Sequence, residues 1–346
     1  SDRGFGRAAV GADMSRAEPK IVIAHMPQIR GFTDADLDRV AAVGAMLDRV
    51  PISAWNDSRA DALLAVADVV LAHWGCPAID ATVLDRAPNL GLIAYAAGTV
   101  KTVVTDAVWT RDIRVTSGAV ANAEPVAEFT IAAILWANKD ALWRRVHASQ
   151  PDQPTTGGVP RGNYGKTIGL VGASLVGRRV IELLALFPDL DVTLYDPFVT
   201  LEEAADLGVT KLELDELCAG CDVLSVHAPL LTSTVGLVGA PHLAALRDGA
   251  TVINTARGPI IDHDALSAEL TSGRLRAVLD VTDPQPLADH SPLRSLSNVW
   301  LTPHLAGSEG TELARMADHA IDEITRWSQG RPARNEITKD RLDRLA

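Results

Sequence analysis

A strand, a tight turn and a helix start follow one another in Thr167-Ile-Gly-Leu-Val-Gly172-Ala-Ser174-Leu-Val-Gly177, and a second strand, Val192-Thr-Leu-Tyr-Asp196, closes on a carboxylate. Few folds accept that succession, because a strand that turns directly into a helix and returns as another strand builds a parallel sheet with a crossover. Gly172 suits the sharp turn. The amides of Ser174, Leu175 and Val176 then lie at the head of a helix running from Val176 to about Leu186, where they can receive a phosphate. Ser174 stands where the pattern G-x-G-x-x-G has its middle glycine, and its hydroxyl can donate one more hydrogen bond. Asp196 comes 19 residues after Gly177, close to the spacing of a carboxylate that accepts from the 2′-hydroxyl of a ribose. The same charge repels a 2′-phosphate, and Pro197 follows where an Arg could offset it. The segment reads as a dinucleotide site that favours NAD over NADP.

The alternation extends in both directions. From Lys20 the chain runs through the strand Ile21-Val-Ile-Ala24, a helix opened by Thr33 with acids in its first turn, and the run Ala67-Asp-Val-Val-Leu-Ala72. A helix from about Ile79 to Ala87 stops at Pro88, and the strand Leu90-Gly-Leu-Ile-Ala-Tyr95 follows. The longest helical pattern spans Asn122 to about Ala148. Its apolar positions, from Val126 to Val146, are spread so widely that they call for cover by a second domain or a second subunit. A loop rich in Pro, Gly and Thr, Gln150 to Asn163, leads into the nucleotide strand. Strands and helices alternate again as far as Trp300 and Leu301. After His304 the period changes, and Glu312 to Trp327 reads as one amphipathic helix. Residues 1–18 lack periodicity and read as a mobile leader in which Met14 offers a second start.

At 346 residues the chain suits two domains. A formal charge of -12, with acids and bases interspersed, argues against a nucleic-acid partner, since phosphate backbones call for clustered Lys and Arg. No run approaches the ~18 apolar residues of a membrane span, so a cytoplasmic protein is expected. Cys76, Cys218 and Cys221 form neither an even disulfide set nor a metal quartet. Cys218-Ala-Gly-Cys221 has a redox spacing, but it falls where a helix ending near Leu217 meets a strand starting at Asp222. A turn of small half-buried residues, with no metal, is the simpler reading.

Three polar residues each follow a strand in the last third of the chain: Arg257 in Asn254-Thr-Ala-Arg-Gly258, Gln285 in Asp280-Val-Thr-Asp-Pro-Gln-Pro286, and His304 in Thr302-Pro-His-Leu305. Strand ends of one parallel sheet can converge on a small anion. Hydride transfer between a nicotinamide and a 2-oxo acid needs a cation for the carboxylate and carbonyl, and a proton donor for the developing alkoxide. Arg257 suits the first task because its fork stays charged and binds oxygens bidentately. His304 suits the second, as an imidazole that can give or take a proton near neutral pH. On the other side, His73-Trp74-Gly75-Cys76 and Ala96-Ala-Gly98-Thr99-Val100-Lys101 each follow a strand. Asn122 stands where the chain crosses between domains.

These motifs together resemble the D-isomer-specific 2-hydroxyacid dehydrogenase family, from about Lys20 to the last helix. The resemblance implies an α/β protein of two doubly wound parallel-sheet domains, with a Rossmann NAD-binding domain (122–307) inserted into a smaller, discontinuous flavodoxin-like substrate domain (1–121 and 308–346). It implies NAD contacts at Gly172, Ser174, Leu175, Val176, Gly177 and Asp196. Further contacts are implied at His227, Ala228, Pro229, Thr234, Thr255, Ala256, Asp280 and Gly307, with Asp280 holding the nicotinamide carboxamide. His227 reads either as catalytic or as packing at a strand end. Implied substrate contacts are Trp74, Gly75, Gly98, Thr99, Val100 and Asn122, and the long helix implies a homodimer. Most relatives place a Glu behind the histidine; Gln285 stands there in this chain, as in the family's formate-oxidising branch, at the same interval of 19. The leading function is NAD-dependent hydride transfer on a small 2-hydroxy or 2-oxo acid. Oxidation of another small anion, such as formate, a phosphite or a phosphonate, is one alternative. An NAD-sensing protein like the family's corepressors is another.

Overall fold

Short apolar runs become parallel strands in a computed structural model that describes residues 18–29, 31–144 and 161–342. The leader with Met14, Val146 and most of the loop Gln150 to Asn163 lie outside the described residues. The chain divides into two compact units, one made of 1–118 and 313–339, the other of 119–312 and 340–346.

In the first unit the strands are β1 (Lys20–Ala24), β2 (Ala45–Met46), β3 (Val69–Ala72), β4 (Leu92–Tyr95) and β5 (Arg114–Ser117). They lie parallel in the order β2-β1-β3-β4-β5, the doubly wound order of flavodoxin-like sheets. All four residues of β3 and of β4 are buried, as expected of a sheet covered on both faces. Thr33 opens the helix Asp34–Ala41 as expected, through a capping box with Asp36.

The second unit holds β6 (Lys166–Val171), β7 (Leu190–Tyr195), β8 (Thr210–Lys211), β9 (Val223–Val226), β10 (Thr251–Asn254), β11 (Arg276–Leu279) and β12 (Val299–Leu301). Their order is β8-β7-β6-β9-β10-β11-β12, all parallel. That is the Rossmann order 3-2-1-4-5-6 with one strand added, and the order reverses between β6 and β9. Period-2 alternation assigns each strand residue to a core. Val252, Ala277 and Leu279 pack on one face with Leu217, Leu266 and Leu270. Ile253 and Val278 pack on the other with Ile134, Val180 and Ile181.

The chain then returns to the first unit. The amphipathic helix Leu313–Ser328 buries Met316, Ala320, Ile324 and Trp327, and β13 (Glu336–Ile337) pairs antiparallel with β5. The joint is held by Glu323, a fully buried carboxylate that accepts from the amides of Arg334 and Asn335.

Two expectations are corrected. The single helix from Asn122 to Ala148 is interrupted: one helix covers Ala119–Asn138 and a short one Ala141–Arg144. Between them Asp140 has φ 57, and its buried carboxylate is held by Arg161 and Arg276. Those ion pairs outweigh the local helical pattern. Cys218 lies within the helix Leu214–Gly220, which continues past Leu217, with Cys221 as its C-cap. Both thiols are buried and protonated, Cys218 pushed up to about 12 by burial and Cys221 further. Cys221 fills the space beside Gly169, where a Cβ would meet it and Leu217.

Candidate active site

Every polar group singled out in the second unit lies at the carboxyl end of its parallel sheet, where doubly wound folds bind ligands. Gly172, at φ +102, ends β6, and a Cβ there would approach the amide of Ala228 to 2.6 Å. A Cβ on Gly177 would collide with the carbonyl of Gly172. Both glycines are therefore demanded by close backbone approach. Ser174 caps the helix Leu175–Leu184, its Oγ accepting from Gly177 N at 3.3 Å, so its own proton remains to be donated. The amides of Ser174, Leu175 and Val176 have no acceptor among the described residues, the condition for holding a phosphate.

Asp196, after β7, closes the turn from below: Oδ2 accepts from Ala173 N and Oδ1 from Phe198 N, each at 2.8 Å. Each oxygen keeps a lone pair. The segment after β9 is tightly packed. His227 is buried, its Nε2 2.9 Å from Ser225 Oγ, and burial holds the ring neutral with a pKa lowered to about 3. That environment suits the packing reading of His227 and not proton transfer near neutral pH. Thr234 Oγ1 donates to Pro229 O at 2.6 Å and closes the loop that carries Ala228 and Pro229.

Arg257 follows β10 and is braced from behind. Asn254, nearly fully buried, accepts from Ala256 N at 3.0 Å and donates to Arg257 O at 2.9 Å. Thr255 meets Thr130 Oγ1 at 3.0 Å. The guanidinium is half-buried, donates to Ala256 O at 2.7 Å, and has no ion pair among the described residues. Burial lowers its pKa below the usual arginine value. A cation so placed gains by meeting an anion.

A Cβ on Gly258 would collide with the Thr282 carbonyl, so the Arg257 loop packs directly on the segment leading to Gln285. Gln285 Nε2 lies 2.6 Å from His304 Nδ1. Both side chains are exposed. His304 has φ 61, a left-handed conformation that costs a residue with a side chain about 1–2 kcal/mol. Asp280 supplies the restraint: Oδ1 accepts from Thr302 Oγ1 at 2.6 Å and Leu305 N at 2.8 Å, and Oδ2 from Ala306 N at 3.0 Å. The carboxylate bonds of Asp280 are thus all made to the loop carrying His304. Asn122 does similar work, accepting from Ser308 N at 2.9 Å and lying close behind Gly307.

The remaining expected site residues belong to the first unit. Trp74 and Gly75 follow β3, and Gly75 has φ +75 with Met26 against it. His73 is fully buried, accepts from Trp74 N at 2.8 Å, and has a pKa lowered to about 4 by burial and then by His25. Gly98 and its neighbours follow β4, with Ser117 Oγ donating to Gly98 O at 2.5 Å. The amides of Gly98, Thr99 and Val100 have no acceptor among the described residues.

Residues 136–306 match the family model of D-isomer specific 2-hydroxyacid dehydrogenase, NAD binding domain. A glyoxylate reductase of Thermofilum pendens is 34% identical over 258 residues, 70% of this chain and 73% of that relative. The chain belongs to the D-isomer specific 2-hydroxyacid dehydrogenase family. Its nucleotide domain is of the NAD-binding type. A D-3-phosphoglycerate dehydrogenase of Mycobacterium bovis is also 34% identical, over 288 residues and 79% of this chain; the chain spans only 52% of that relative. The crystal structure of the TT0316 protein from Thermus thermophilus superposes with a TM-score of 0.71 at 28% identity, covering 92% of this chain and all of that one.

Sequence reasoning about this family member missed Asn254 and Thr302, whose side chains hold the loops of Arg257 and His304. It also missed an ion pair beside the glycine turn, Arg178 with Glu203. Asn254 stood in a quoted motif, but its bracing role depends on loop geometry that spacing does not carry. Among the described residues no cluster of His, Cys, Asp and Glu fits a metal ion, and no helix is long and apolar enough to cross a membrane.

Proposed function

We propose that this chain is an NAD-dependent oxidoreductase that transfers hydride between nicotinamide and a small 2-hydroxy or 2-oxo acid. One observation carries the reading: Gln285 lies 2.6 Å from His304, and the segment leading to Gln285 packs on the loop of Arg257, half-buried and without an ion pair among the described residues. NAD fits the turn, since Gly172 and Gly177 leave no room for side chains, three amides are free and Asp196 can accept from a ribose; when bound it supplies the hydride acceptor or donor.

Arg257 binds the substrate carboxylate and steadies negative charge on the reacting oxygen. His304 exchanges the proton of that oxygen at Nε2. Gln285 positions the ring from Nδ1. With its NH2 toward Nδ1 the amide donates, and the neutral ring keeps its proton on Nε2. With the amide turned by half a rotation, Oε1 accepts from Nδ1–H, and Nε2 is free to take a proton or, in the imidazolium, to give one. The second orientation is the one that serves hydroxy-acid chemistry. A carboxylate at this position would enforce it; the amide permits both. The free amides of Gly98, Thr99 and Val100 suit the substrate carboxylate, and Trp74 and Asn122 belong to the same reading. The relatives' names, glyoxylate reductase and D-3-phosphoglycerate dehydrogenase, support 2-hydroxy acids as the substrate class. The apolar helix Ala119–Asn138 supports a homodimer.

An amide rather than a carboxylate behind His304 favours a second reading. Oxidation of a formate-, phosphite- or phosphonate-like anion releases hydride with no hydroxyl proton to remove, so it needs no base. A screen of 2-oxo acids with NADH, and of 2-hydroxy acids, formate and phosphite with NAD, tests both. Turnover of an oxo acid that is lost in His304→Ala is the expected result. Turnover confined to formate or phosphite selects the second reading. NADH binding with no turnover on any compound would leave an NAD-sensing protein and overturn both enzymatic readings.

A further inference from the structure

The turn that receives the dinucleotide phosphates carries a cation that the chain keeps occupied. Arg178 follows Gly177; its Nε donates to Ala173 O at 3.1 Å and its Nη2 to Glu203 Oε1 at 2.6 Å. Ala173 is also the residue whose amide holds Asp196 Oδ2 at 2.8 Å. Asp196, Ala173, Arg178 and Glu203 are therefore one bonded series around the end of β7, where a Rossmann fold presents its ribose-binding carboxylate. Glu203 belongs to the helix Leu201–Asp206 and is fixed there by Thr200 Oγ1, which accepts from its amide at 3.1 Å.

In dinucleotide folds an Arg near this carboxylate receives the 2′-phosphate of NADP. The position after Asp196 is Pro197, which offers no charge. The helix offers Arg178 instead, and Glu203 neutralises it. Both side chains are more than a third exposed, and exposed ion pairs of this kind hold weakly, so a phosphate could displace the carboxylate if the local charge allowed.

We propose that Glu203 is a cofactor-specificity residue that acts through Arg178. It withholds a guanidinium placed for a 2′-phosphate. The chain thus excludes NADP twice, once by repulsion at Asp196 and once by pairing its cation. This rests on the dinucleotide reading of the turn given above.

The test is a fluorescence titration of the full chain with NADH and NADPH, in the parent, Asp196→Ser, Asp196→Ser with Glu203→Gln, and the triple variant that adds Arg178→Gln. Each result is read as the ratio of the two dissociation constants within one variant, so a general loosening of the turn cancels. Asp196→Ser shifts the ratio toward NADPH. Adding Glu203→Gln shifts it by a further factor of about ten, the scale of one charge-assisted hydrogen bond gained, and Arg178→Gln removes that second gain. Equal ratios in the single and double variants, or a second gain that survives Arg178→Gln, would overturn the proposal while leaving the NAD site standing. A parent chain that binds neither nucleotide overturns both.

Discussion

An amide behind an imidazole leaves the ring's charge to solvent, whereas a carboxylate attracts a proton to it. Gln285→Glu should therefore move the pH dependence of turnover upward in both directions of reaction. Oxo-acid reduction, which needs the imidazolium, should persist to higher pH, and hydroxy-acid oxidation, which needs the neutral ring, should begin at higher pH. Rate profiles of parent and variant measure this, and coincident profiles would separate Gln285 from the proton step. Arg257→Ala should lower turnover by about 10²–10³ while changing NADH affinity little, because on the proposed reading the guanidinium works on the substrate and not the cofactor; stopped-flow and titration read the two effects separately. Arg257, Gln285 and His304 could be singled out in the sequence because each falls in a short polar segment just past an apolar run. Asp280 was legible as a site residue but not in its observed work. Its three bonds to the His304 loop depend on where β11 and β12 lie side by side, and no spacing along the chain encodes that.

At the level of elements, the long apolar runs and their caps could be read directly, and the two sheet orders follow the doubly wound pattern. Short strands toward the sheet's edges could not: β2 and β13, at the edges, have two residues each, and β5, next to β13, begins with an Arg. Their pairing comes from neighbours already in place. The break at Asp140 is of the same kind, a local helical pattern overruled by two arginines from elsewhere in the chain. Contact between loops makes a sharper prediction. Gly258→Ala must push the Arg257 loop away from Thr282, so turnover should fall by at least about tenfold while the NADH constant stays near that of the parent. Parent-like turnover would show that the two loops can separate without harm. In the first unit, Glu323→Ala should lower stability by about 1–3 kcal/mol in urea unfolding, since the amides of Arg334 and Asn335 lose their buried acceptor.

Each unit buries a neutral histidine, and the whole chain is expected to feel both on acidification. His73 has its folded pKa lowered to about 4 and His227 to about 3, both by burial first, from 6.5. Protons then bind the unfolded chain preferentially below 6.5. Stability is at its full value above that pH, falls as pH drops toward 4, and levels off once the folded rings titrate. His73→Leu should flatten part of the fall, as urea midpoints between pH 7 and 4.5 would record. Assembly is a separate matter at this scale. Trp136 is 56% exposed on the helix Ala119–Asn138, so a homodimer should form through the face that bears it. Light scattering should give twice the chain mass, and Trp136→Glu should halve it; a parent already monomeric at micromolar concentration would contradict this use of the helix.

The pairing of β13 with β5 also bears on how the protein is made. Glu336 lies opposite Thr116, so the sheet that starts with β1 waits for a strand emerging from the ribosome some two hundred residues later. The inserted unit has all seven of its strands by then and can fold while the first is still open along one edge. The half that is synthesised first is thus completed last. Released chains ending just after Glu312 should resist protease over 166–301 and be cut readily between Lys20 and Ser117.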